Sequence, residues 1–216
     1  MAFRTDAART TARQARKAHK ARQKARKASQ ESVLAERFGL FAECLLTGVW
    51  ITVAALPLVT YPAAFAAGAR HLRRRIAHEG GGLREFAGDF RHAVRRGWLA
   101  GLAGWAAAAV VWVDVQAVRA GLPGGRLVAA VGIFALIGLV VAGLRAAAVW
   151  EAGASWRTLL AAAGRRTVLD PAGSFLLVGG LVVVAVSAWV TPPLAVPVLG
   201  AVAAAAVAVE KRYMRD

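Results

Sequence analysis

The chain has 216 residues, 58% of them hydrophobic, and a mean hydropathy of +0.50. Soluble domains carry about 45 to 50% apolar residues, so an ordinary water-soluble fold is excluded and a polytopic membrane protein is expected. The 28 Lys and Arg against 12 Asp and Glu give a formal charge of +16, gathered into blocks that flank apolar runs, which is a topological pattern rather than a nucleic-acid footprint.

Residues 1–37 hold eleven Lys and Arg, with alanine interleaved in RQARKAHKARQKARKA. These are strong helix formers, but the stretch has no apolar face with which to join a core. A basic cytoplasmic tail is expected, held on anionic headgroups at about 1 kcal/mol per basic residue. No Phe, Tyr or Trp is interleaved in the basic run, so no specific nucleic-acid partner is expected. The tail is polar and the apolar run after it is too long for a signal h-region, so no cleaved signal peptide is expected.

From Phe38 to Ala69 the chain is apolar for 32 residues, broken by Pro57 and Pro62. A crossing takes about 20 apolar residues, so the run predicts a hairpin with segments 38–56 and 58–76, one full limb and one short limb. The short limb runs into Arg70, His71, Arg73, Arg74 and Arg75. Gly80, Gly81 and Gly82 then form a joint. After it, Leu83, Phe86, Phe90 and Val94 recur at spacings of three and four, opposite Arg84, Glu85, Asp89 and Arg91, which predicts an interfacial amphipathic helix. Segments 97–118 and 127–149 follow, turned by AGLPGG. A second short amphipathic stretch carries Arg165 and Arg166. The last apolar region, broken at Thr191-Pro192-Pro193 and Pro197, predicts segments 174–191 and 194–210 before a cytoplasmic tail at 211–216.

The expected fold is therefore all-α: about six membrane segments in three helical hairpins, joined by cytoplasmic amphipathic helices. With the N-terminus inside, 26 of the 28 Lys and Arg lie on the cytoplasmic side and only Arg119 and Arg126 lie outside, so both termini are expected in the cytoplasm.

Cys44 is the only cysteine, so no disulfide framework or paired thiol is available. His19, His71, His78 and His92 fall in polar stretches, no serine is placed with a histidine and carboxylate at membrane depth, and no metal-ligand or phosphate-loop spacing occurs. No catalytic, cofactor or metal site is expected, and the protein reads as a non-enzyme.

Ionisable residues inside apolar segments are costly and usually face a partner. Glu43 and Arg145 lie at similar depth near the inner boundary, level with Arg70, Arg73 and Arg74. Glu43 is expected to pair with one of these three, with Arg145 nearby. Asp114, Gln116, Arg119 and Arg126 gather near the outer end of segment 97–118, either as local neutralisation at the interface or as the lining of an outward cavity. Trp98, Trp105 and Trp112 form a seven-residue stripe beside Gly97, Gly101 and Gly104, a small-residue step that admits a neighbouring helix. Trp98, Trp150 and Trp156 fit an interface belt, whereas Trp105 at mid-depth fits none.

The stretch TGVWITVAALPLVTYPAAFAAGARHLRRR, followed by the glycine joint and LREFAGDFRHAVRRGWLAG, resembles the YesL-like membrane proteins, the family of domain of unknown function 624. The likeness covers roughly residues 38–120 and rests on Trp50, Pro57, Thr60, Pro62, Ala63, Phe86, Phe90 and Arg91, with Pro57, Thr60 and Pro62 as the hairpin-turn motif. Thr47 stands near where many members carry asparagine, and the long basic tail is not typical of them. The resemblance implies a bacterial inner-membrane protein with an accessory role in carbohydrate transport and utilisation, with ABC-type sugar permease components as partners. The expected function is a non-enzymatic accessory or assembly component. The competing class is a small transporter or channel subunit with Glu43, Asp114 and the nearby arginines along its path, and a third is a nucleic-acid or ribosome binder using the tail.

Overall fold

A computed structural model of the chain describes residues 38–215, so the basic tail at 1–37 and the expectations attached to it lie outside the described residues. The packing described below belongs to the unit Glu43–Asp216.

Among the described residues the chain forms α1 (Phe38–Ala54), α2 (Tyr61–Ile76), α3 (Leu83–Arg119), α4 (Gly125–Ala148), α5 (Trp156–Leu169), α6 (Pro171–Val190) and α7 (Pro192–Tyr213), with no strand. Helix ends coincide with residues that cannot continue a helix or that cap one. Leu58 takes φ +58° in the turn after α1, and Pro62 sits in the first turn of α2, where its missing N–H costs nothing. Gly121 and Gly124 supply the left-handed conformations that turn α3 into α4. Asp170 caps α6 by accepting the Gly173 N–H at 3.0 Å, with Pro171 opening the helix.

Two expectations about the elements are corrected. The amphipathic stretch after the glycine joint is not a separate surface helix: it runs unbroken into the following apolar segment as the 37-residue α3. Polarity changes near Gly97, but no proline interrupts the backbone hydrogen bonds there. Pro197 does not break the last segment either; α7 continues through it. Four helices, α3, α4, α6 and α7, are long and apolar enough to cross a membrane, while α1 and α2 are shorter.

α2 is the central element, packed against α3, α4 and α7. Its Ala63, Ala64, Ala66, Ala67 and Ala69 are wholly buried, so neighbouring helices approach its backbone closely. α1 and α7 cross at Gly48 and Gly200, where a Cβ on Gly48 would strike the Val196 carbonyl and one on Gly200 the Cys44 carbonyl. The outward faces of α4 and α6 remain apolar, with Phe134, Phe175 and Trp189 exposed, as a hydrocarbon surround requires.

Candidate functional site

The charged side chains of α2, and those where α4, α6 and α7 meet, close into two ionic clusters. The first joins α1, α2 and α3. Glu43 Oε1 shares a 2.7 Å hydrogen bond with His71 Nε2 and accepts from Arg75 Nε at 2.8 Å. Asp89 of α3 takes Arg70 at 2.8 Å and Arg74 at 2.9 Å. Arg73 turns the other way and donates to the carbonyls of Ala148, at 2.7 Å, and Trp150, satisfying backbone acceptors at the C-terminal end of α4. Arg70 also lies 5.8 Å from the Trp150 ring centre, a cation–π distance.

Glu43 is thus paired, but with Arg75 and His71 rather than with Arg70, Arg73 or Arg74. Successive residues of a helix point about 100° apart, so a run of arginines cannot converge on one carboxylate. His71 and Arg75 are four apart and share the face towards α1; Arg70 and Arg74 share the face towards α3. His71 is wholly buried, with Trp50 edge-on to its ring at 5.0 Å between centroids.

Arg145 belongs to the second cluster rather than to Glu43. It is wholly buried and donates to Asp170 Oδ2 at 2.9 Å, to Glu210 Oε1 at 3.2 Å and to Ser174 Oγ at 3.3 Å. Arg166 of α5 pairs with the other Glu210 oxygen, and Arg212 binds Asp170 Oδ1 at 2.8 Å. Gly173 leaves the room for this, since a Cβ there would meet both Asp170 and Arg145. Burial pushes the Asp170 carboxyl up, but the Gly173 N–H together with Arg145 and Arg212 outweighs it and holds the group below its ordinary value.

Asp89, Asp170 and Glu210 were not singled out from the sequence as partners. Asp89, expected on the polar face opposite Phe86 and Phe90, is instead buried beside Phe86, Ala93 and Gly97, because it lies three residues after Phe86 and four before Ala93 on the helix. Asp170-Pro171 reads as a helix start, whereas nothing local marks Glu210 as buried.

Asp114, Gln116, Arg119 and Arg126 make no ion pair among the described residues, and Gln116, Arg119 and Arg126 are exposed. The Asp114 carboxylate lies close to Gly132 of α4. Gly97 takes the Trp156 ring, Gly101 takes the Val59 carbonyl and Pro62, and Gly104 takes the Tyr61 hydroxyl. Trp150 and Trp156 are not belt residues: both are buried, and Trp156 Nε1 donates to the Ala93 carbonyl at 3.3 Å. Trp105 donates to the Leu58 carbonyl at 3.1 Å, so it holds the first hairpin turn. In that turn the Thr60 hydroxyl donates to the Ala54 carbonyl at 2.7 Å.

Fold and clusters together define a helical membrane protein whose buried charges are neutralised among its own helices. No protein-family model, curated protein or solved structure matches the chain.

Proposed function

We propose that this protein is a non-enzymatic integral membrane component that acts by packing against other membrane proteins, as an accessory or assembly part of carbohydrate transport in a bacterial inner membrane. The observation that carries the reading is that Arg145 and Glu210, almost wholly buried, are spent on each other and on Asp170 and Arg166. Charges used to bind or relay a solute face a cavity, whereas charges locked together pin helices in register. One cavity between the helices, of about 310 Å³, is apolar and lined by no member of either ionic cluster, while a second, of about 250 Å³, is bordered by Arg73 and Glu210, whose charged groups are already engaged by backbone carbonyls and by Arg145 and Arg166. The association with carbohydrate uptake is drawn from the YesL-like resemblance of residues 38–120.

Isolation from native membranes in mild detergent tests the proposal: a sugar permease and its ATPase are expected to co-purify. Solute flux through liposomes holding this protein alone would instead assign the small-transporter reading.

A further inference from the structure

The apolar cavity is walled by Ile51, Tyr61, Phe65, Gly143, Trp156 and Leu181, among residues from α1, α2, α4, α5 and α6. Its volume, about 310 Å³, is roughly twice that of the ~150 Å³ engineered cavity that stays dry and takes benzene. Close packing normally closes such a space, yet at Gly143 a Cβ would meet nothing within 4 Å. Two of its lining residues, Tyr61 and Leu139, are 40% and 41% exposed and mark its mouth.

Leu139 lies about midway along α4, a helix long and apolar enough to cross a bilayer, so the opening beside it faces hydrocarbon. Water has almost no polar partner inside and gains nothing by entering. A lipid chain loses no hydration by entering, because it leaves one apolar medium for another; what it gains is dispersion contact with walls that otherwise face a void. We infer that the cavity is a binding site for a linear hydrocarbon chain, either the acyl chain of a bilayer lipid or that of a free fatty acid. This site is separate from both ionic clusters and does not depend on the accessory reading.

The test uses the full chain, purified in mild detergent and exposed in separate arms to a fatty acid and to a phosphatidylglycerol, each with a diazirine near the chain end. Adducts are mapped by peptide mass spectrometry. Labelling is expected at Gly143–Leu144 and Trp156–Leu160, and excess unlabelled fatty acid or lipid is expected to suppress it, while labelling of the outward Val182 and Val186 persists. Labelling from phosphatidylglycerol alone identifies a bilayer lipid; labelling from both arms extends the site to fatty acids. Gly143→Phe fills the space and is expected to cut cavity labelling about tenfold, whereas Gly138→Phe, in open space outside the cavity, leaves it intact. If gel filtration shows Gly143→Phe misfolded, Ala103→Leu takes its place, and the competition experiment on the unaltered protein decides independently. Labelling that cannot be competed, or that is equal in the filled and unfilled proteins, overturns the inference.

Discussion

Arg145 shows how a single residue organises the second cluster. Its guanidinium is wholly buried and answers two carboxylates, so truncating it leaves Glu210 and Asp170 with less countercharge in a poorly solvated place. Breaking a buried pair from one side costs about 3 to 5 kcal/mol, mostly from the charge left behind. Arg145→Met is therefore expected to lower the thermal midpoint in detergent sharply, and adding Glu210→Gln should recover part of the loss; no recovery would mean that packing, not charge, is at stake. Asp170 gives the pH counterpart. Its folded carboxyl titrates below its ordinary 3.8, so its ion pairs contribute full stability above that pH and lose it as pH falls through the lowered value. Asp170→Asn keeps a good helix cap but removes the charge. It should be less stable than the unaltered protein at neutral pH, and a melting series should show the gap narrowing in acid; a gap independent of pH would assign the loss to shape.

At the scale of helices, glycine position matters more than glycine number. Gly200 meets the Cys44 carbonyl across the α1–α7 crossing, whereas Gly138 of α4 faces open space. Gly200→Ala must push two backbones apart, at about 1 to 3 kcal/mol. Gly138→Ala should be neutral or gain up to about 1 kcal/mol of helix propensity. Denaturation of the two variants in one detergent should give opposite signs, and equal effects would remove the crossing as a determinant. The same distinction explains what was legible in the residues. Pro57 and Thr191-Pro192 announce their turns because proline acts locally, whereas the cap at Asp170-Pro171 is equally local but was missed, and the segment expected to start at 174 opens at Pro171. The union of the amphipathic stretch with the next apolar segment in α3 was hidden, because solvent preference changes near Gly97 while the backbone pattern does not. The partners of Glu43 and Arg145 were hidden for a different reason: depth along each helix can be counted from the sequence, but rotation about its axis is set by neighbours, and rotation decides which arginine of a run faces which carboxylate.

For the whole molecule, the arginine distribution predicts that the first apolar run returns to the side from which it left, but it does not specify how far the run travels. A full crossing and a partial one satisfy the positive-inside rule equally. Packing bears on the difference. The turn between α1 and α2 meets α3 at Gly101 and Trp105, about 14 to 18 residues and so about 21 to 27 Å before α3 ends at Arg119. The 16 residues of α2 reach about 24 Å, less than a hydrocarbon core of about 30 Å, and their last turn carries Arg73, Arg74 and Arg75. A hairpin that ends within the bilayer is expected. Single cysteines placed in a Cys44→Ser background test depth and orientation together. An impermeant maleimide added to intact cells should label Leu122→Cys between α3 and α4. It should label Glu79→Cys and Glu151→Cys only after permeabilisation, and Leu56→Cys in the first turn from neither side until the protein is denatured. Labelling of Leu56→Cys from outside would make the hairpin a full crossing, and labelling of Glu151→Cys in intact cells would reverse the orientation expected from the positive-inside rule.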